Sequence, residues 1–309
     1  MKLALVFPGQ GSQSVGMMAG YEAMPVVRES FAEASGVLGQ DLWTLAAEGP
    51  DEALNQTVNT QPLMLAADIA VYRAWLAAGG AAPAVLAGHS LGEYAALVAG
   101  GAFTLADALP LVRFRAQAMQ EAVPAGVGAM AAVMGLDETG ISKACSEAAQ
   151  GQVVEPVNFN APGQVVIAGH REAVERAIAG AKAMGAKRAL LLPVSAPFHS
   201  SLLKPAGERL AAFLENVPVK EPGIPVLHNV DVRVAQSPAQ IRNALAAQAA
   251  SPVRWLETIQ NFAAQGITHV AECGPGRVLS GLTKRIAPEL EALPLNDAEA
   301  IAAAVAATR

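Results

Sequence analysis

Apolar residues fall into two kinds of run along this chain. Short, nearly continuous runs at 2–7, 84–88, 224–229 and 268–273 end at Gly, Pro or Asn or just beyond, and predict buried strands. Longer stretches between them carry helical spacing. One helix is predicted after Pro62 to about residue 78, and another after Ser90. A third begins near Thr104, where Thr104 and Asp107 suit a capping box. Pro110 falls inside that pattern and should kink it. Ser237-Pro238 and Ser251-Pro252 each read as a cap followed by Pro at the first helical position. Strands alternating with helices predict an α/β fold with a largely parallel sheet.

The stretch from about 126 to 194 has a different rhythm. A strand (127–134) precedes a helix (137–149), then a hairpin of 152–159 and 164–169 turning at Asn160-Ala161-Pro162-Gly163. A helix (172–184) and a strand (187–194) complete the order β-α-β-β-α-β, the ferredoxin-like arrangement. This predicts an inserted subdomain at 125–197, with 1–124 and 198–309 forming the large domain. A cleft between the two is a favoured ligand site.

Composition narrows the function. The 309 residues are 52% hydrophobic and only 16% charged, so a large share must lie inside. A net charge of −6 argues against a nucleic-acid partner, which needs a basic face. Cys145 and Cys273 have no metal-type spacing and read as reduced thiols. No unbroken apolar run reaches membrane-spanning length, and the N-terminal run meets Pro8-Gly9 too soon for a signal peptide. A soluble, cytoplasmic protein without metal is expected.

Gly88-His89-Ser90-Leu91-Gly92 matches G-x-S-x-G, which exposes a serine on a strained strand-to-helix turn. Three fixed positions recur by chance in about one chain in ten of this length, so context must decide. Here 84–87 reads as the required strand and 93–99 as the required helix. The N–H after the serine would then face a developing oxyanion. Serine needs a base, and there are five histidines. His89 should project away from its neighbour, and His170 opens a helix of the insert. His199, in the loop Ser195-Ala196-Pro197-Phe198-His199-Ser200, leads by spacing, with His228 and His269 still open. A second glycine-rich turn, Phe7-Pro8-Gly9-Gln10-Gly11-Ser12-Gln13, follows the first strand, where open α/β sheets place ligands. It is no nucleotide-binding motif.

Together these segments resemble the malonyl-CoA:acyl-carrier-protein transacylase family. The resemblance extends to Asn158-Phe159-Asn160 with Pro162-Gly163-Gln164, Pro252-Val253-Arg254-Trp255 and Glu272-Cys273-Gly274-Pro275-Gly276, in the family's order. It implies a hydrolase-like α/β domain with a ferredoxin-like insertion. It also implies Ser90 as nucleophile, His199 as base, and the N–H groups of Gln10 and Leu91 as oxyanion hole. By the same resemblance the Gln248 backbone carbonyl orients the histidine, Arg115 holds the malonate carboxylate, and Asn160 lies near the substrate. On the helical wheel Arg113 and Arg115 border opposite sides of an apolar stripe, so the resemblance alone selects Arg115.

The implied reaction is ping-pong transfer of malonyl from malonyl-CoA to the thiol of acyl carrier protein, with no cofactor. Fatty-acid synthesis is the first pathway reading, with polyketide or malonate decarboxylase systems as alternatives. Phe198 before His199 resembles the malonyl-selective pattern. A serine esterase would expect an HGGG-type loop and a histidine near the C-terminus, and neither is present. A non-catalytic carrier-binding module is a further alternative, disfavoured by the intact set of chemical residues. Carrier proteins are usually acidic, so docking on this acidic chain needs a local basic patch. Lys182, Lys187 and Arg188, or Lys284 and Arg285, are the candidates.

Overall fold

The computed structural model describes residues 1–194 and 196–309. Ser195, part of the loop before His199, lies outside them. Nine strands form among the described residues: β1 (Leu3–Phe7), β2 (Val85–Gly88), β3 (Gly128–Met134), β4 (Val154–Ala161), β5 (Gln164–His170), β6 (Arg188–Leu191), β7 (Val226–Leu227), β8 (His269–Glu272) and β9 (Glu291–Pro294). They build two sheets, ordered β7-β2-β1-β8-β9 and β4-β5-β3-β6.

Every pairing in the first sheet is parallel. Its strands are apolar on both faces because helices cover both. Leu3, Leu5 and Phe7 of β1 join a core with Leu63, Tyr94 and Leu109. The alternate residues Ala4 and Val6 join Trp255, Ile259 and Leu279 on the other side. The chain leaves β1, β2 and β7 at Pro8-Gly9-Gln10, His89-Ser90 and His228-Asn229. All three exits lie at carboxyl ends of neighbouring parallel strands, where such sheets gather their chemistry.

The second sheet is antiparallel, and its order is the ferredoxin-like one. The helices Glu138–Ala149 and Arg171–Ala183 pack on it around Val133, Ile141, Val165 and Ala177. A separate apolar cluster joins this unit to the large sheet's layer. It includes Met119, Met130, Val157, Phe198 and Leu203.

Several sequence expectations change at their edges. The helix expected after Pro62 spans Thr57–Ala77. Its first turn is anchored from outside, since Thr60 Oγ1 donates to the Leu54 carbonyl at 2.6 Å. Thr104 caps the helix Leu105–Glu121 by accepting from Asp107 N–H, and this helix runs through Pro110. The Asp107 carboxylate takes the Thr104 hydroxyl instead of completing a capping box. Ser237 caps the helix Pro238–Gln248 as expected. Ser251-Pro252 does not start a helix; that helix begins at Trp255. The Val253 backbone is engaged elsewhere, donating to Val157 O at 2.8 Å and accepting from Phe159 N–H at 3.0 Å. The hairpin turn shrinks to Pro162-Gly163, with Gly163 at φ 66°. Strand β9 was not expected: it is a short edge strand carrying Glu and Pro, a composition that reads as loop.

Candidate active site

Ser90 sits on the turn between β2 and the helix Gly92–Ala99 with φ 53°, left-handed for a residue that is not glycine. The flanking glycines make that turn possible. A Cβ on Gly88 would come within 1.9 Å of the Gly92 backbone, and one on Gly92 within 2.0 Å of Phe7 O. No side chain fits either place, so the elbow is drawn tight against β1.

The structure answers the histidine question by geometry. His199 Nε2 lies 2.7 Å from Ser90 Oγ. Its Nδ1 lies 2.9 Å from the Gln248 backbone carbonyl. A carbonyl only accepts, so Nδ1 carries the proton and Nε2 is free to take one from Ser90. Among the described residues no carboxylate completes this triad; a neutral carbonyl does. His199 itself adopts φ 66°, a second strained backbone at the site.

His228 and His269 are elsewhere. His228 Nδ1 donates to the buried Glu93, and His269 pairs with Glu291. His89 lines the cavity, but its ring packs against Trp255 and its Nε2 donates to Asn160 Oδ1 at 2.8 Å, not to Ser90. Asn160 stands close behind this wall, near the site. It faces His89 and is not on the cavity wall, whereas Asn158 is. The register slips between Phe159 and Ala161, and a bulge there re-aims Asn160.

A cavity of about 110 Å³ opens over Ser90. Gln10, Leu91 and Arg115 line it from the large domain, and Met130, Leu192 and Val194 from the insert side. The N–H groups of Gln10 and Leu91 have no acceptor among the described residues. They remain available to an oxyanion at this cavity, as the resemblance implied.

Arg115 is the strongest electrostatic feature. Its side chain is 1% exposed, without an ion-pair partner among the described residues. It donates to Gln61 Oε1 and Gln248 Oε1 at 2.8 Å each and to Ser90 Oγ at 3.1 Å. Its Nε has no acceptor. Arg113, the alternative on the wheel, reaches away to Leu38 O and Gln40. Burial, and then the Arg115 charge, push the His199 imidazole down to about 3. Its neutral, proton-accepting form therefore persists into acid. We expect kcat/KM, which reports the free enzyme, to stay flat from about pH 8 to about pH 5. A downturn near ~6.5, the ordinary histidine value, would contradict this environment for His199.

Sequence reasoning missed Gln61, Glu93 and Asn229. Asn229 accepts from Ser90 N–H at 2.8 Å and donates to Gly88 O at 2.7 Å, clamping the elbow. Each carried a faint signal as a polar residue in an apolar run or at the carboxyl end of a strand.

The geometry agrees with relatedness. Residues 4–295 match the acyl transferase domain family. The chain is 57% identical over 305 residues to the malonyl CoA-acyl carrier protein transacylase of Escherichia coli K12, covering 98% of this chain and 99% of that protein. Its fold superposes with TM-score 0.98 on the acyl-carrier-protein S-malonyltransferase of Burkholderia pseudomallei 1710b, at 59% identity over 99% of this chain and 100% of that one. It superposes equally well, TM-score 0.98, on a malonyl-transacylase solved with its type II PKS acyl-carrier protein, at 54% identity over 99% and 100% of the two chains. This chain belongs to the acyl transferase domain family.

Proposed function

We propose that this chain moves a malonyl group from malonyl-CoA to the phosphopantetheine thiol of an acyl carrier protein, through an acyl-enzyme on Ser90. The observation that carries the reading is the buried Arg115 guanidinium, without a direct ion-pair partner among the described residues, facing the same cavity as the Ser90–His199 pair. A cation held in so small an apolar space calls for an anion in the ligand. A guanidinium grips a carboxylate with two parallel N–H···O bonds. Malonyl thioesters offer a free carboxylate at the right distance from a reactive carbonyl, and the relatives act on them.

Ser90 Oγ attacks the thioester carbon as its proton passes to His199 Nε2. The carbonyl electrons move onto oxygen, which accepts from Gln10 and Leu91 N–H. The tetrahedral adduct collapses, the C–S bond breaks, and the His199 proton leaves on coenzyme A. The carrier thiol then enters, gives its proton to His199 and reverses the steps. Thioester exchange is redox-neutral, so the reading includes no cofactor. It also places the protein in the cytoplasm with its substrates, consistent with the lack among the described residues of a helix long and apolar enough to cross a membrane.

Fatty-acid synthesis is the pathway proposed, and the relative solved with a type II PKS carrier favours polyketide synthesis as a second reading. Lys182, Lys187 and Arg188 are exposed on the insert, and Arg188 opens strand β6, which runs into Leu192 and Val194 on the cavity wall. That continuity favours this patch over Lys284 and Arg285 for the carrier. The test of function is intact mass after brief exposure to malonyl-CoA alone. We expect one malonyl adduct, mapped to Ser90 and discharged by holo carrier protein. Steady release of free malonate without an adduct would replace the transferase with a hydrolase.

A further inference from the structure

Behind the reacting pair lies a buried carboxylate that the reaction above does not use. Glu93 occupies the second position of the helix that follows Ser90, and it is fully buried. Three donors converge on it. Its Oε2 accepts from Asn229 N–H at 2.9 Å and from Gln248 Nε2 at 2.8 Å. Its Oε1 accepts from His228 Nδ1 at 2.7 Å. Only a group that accepts at both oxygens satisfies all three.

Two of those donors are the residues that hold the site. Asn229 binds both sides of the elbow, through Ser90 N–H and Gly88 O. Gln248 orients His199 through its backbone carbonyl. Its Nε2 also donates to Ser90 O at 2.9 Å, and its Oε1 accepts from Arg115. The carboxylate fixes which end of the Gln248 amide faces which way. With the NH₂ end drawn to Glu93, the oxygen end must face Arg115. We propose that Glu93 is a positioning residue for acyl transfer: its buried carboxylate fastens Asn229 and Gln248, and through them aligns Ser90 with His199 and Arg115.

His228 completes the arrangement. Burial alone would push its imidazole down, but the Glu93 hydrogen bond and charge together with the Asp231 charge outweigh burial and raise it. The groups charged toward His228 are Glu93 and Asp231. A protonated His228 would give the buried carboxylate a counter-charge without touching the cavity, since His228 opens on a separate surface depression with Asp231 and Arg233. Buried polar groups hold one geometry when they are satisfied, and the Asn229, Gln248 and His228 donors are satisfied through Glu93.

The inference rests on the acyl-enzyme reading, so its test uses a probe that does not depend on malonyl recognition. A fluorophosphonate reacts with an aligned serine–histidine pair whatever the natural acyl group. Glu93→Ala and Glu93→Gln are compared with the parent, each rate expressed per folded molecule from near-UV circular dichroism. A misplacement near 1 Å costs about 100-fold, so Glu93→Ala should label Ser90 about 100-fold more slowly. Glu93→Gln keeps one acceptor oxygen, and His228 can present its other tautomer, so part of that loss should be recovered, leaving labelling about 10-fold slower than in the parent. With malonyl-CoA the same variants should lose at least as much kcat/KM as they lose in labelling rate, because Arg115 is aligned through Gln248 as well as Ser90 and His199. Parent-like labelling per folded molecule in either variant would overturn the proposal and leave Glu93 a packing residue. Should Glu93→Ala not fold, Glu93→Gln alone decides, by a measurable loss or its absence. A parent that fails to label at Ser90 would instead overturn the acyl-enzyme reading beneath it.

Discussion

Ser90→Ala will carry no malonyl adduct, and its transfer rate will fall by roughly five to six powers of ten. The reason is that every route through the site passes the Ser90 oxygen. Among the described residues His199 Nε2 has no other acyl-accepting partner, standing 2.7 Å from Oγ. Without Oγ, the oxyanion donors and Arg115 still bind the thioester but have nothing to deliver to it. Substitution of His199 should cost nearly as much, and the double substitution hardly more, because the two act as one unit. The fold should be untouched, since the elbow is held by Asn229 and by Gln248 Nε2 through Ser90's backbone. Intact mass and a transfer assay at high enzyme concentration check this together. An adduct on the folded Ser90→Ala protein would mean that the nucleophile is another residue.

How much of this was legible follows from the range of the interactions involved. The elbow is local: strand, serine, two glycines and helix lie within 16 residues, so 84–99 could be read directly. The alternating insert was legible for the same reason, its hairpin and helices being neighbours in sequence. The base was not legible from spacing, because His199 meets Ser90 across 109 positions of chain. Only the joint resemblance of several segments could choose it over His228 and His269. Arg115 over Arg113 was the same problem at smaller scale: both border one apolar stripe, and what separates them is the direction of a long side chain. Asn160 is a third case. Alternation along β4 puts residues 158 and 160 on one face, and a register slip that no pattern announces turned one away. Glu93 went unnoticed beside the serine because its meaning lies in Asn229 and Gln248, more than 130 residues further on.

Arg115→Ala is the substitution that separates recognition from chemistry. Two charge-assisted hydrogen bonds to the malonyl carboxylate are lost, each worth ~1.5–3 kcal/mol. We expect kcat/KM for malonyl-CoA to fall about a thousandfold, while an uncharged acetyl or propionyl thioester reacts as well as with the parent or better. The preference thus inverts without removal of Ser90 or His199. A second effect has the opposite sign for the base. The Arg115 charge is the second largest cause, after burial, of the depressed His199 imidazole. Removing that cation lets His199 rise toward its ordinary range, so the acid limb of kcat/KM should move to higher pH. Arg115→Lys keeps a positive charge but not the fork, and should keep the parent's pH profile while losing much of the malonyl preference. Unchanged malonyl preference in Arg115→Ala would remove Arg115 as the selector. A lost preference with an unmoved acid limb would keep the carboxylate contact and discard the electrostatic link between Arg115 and His199.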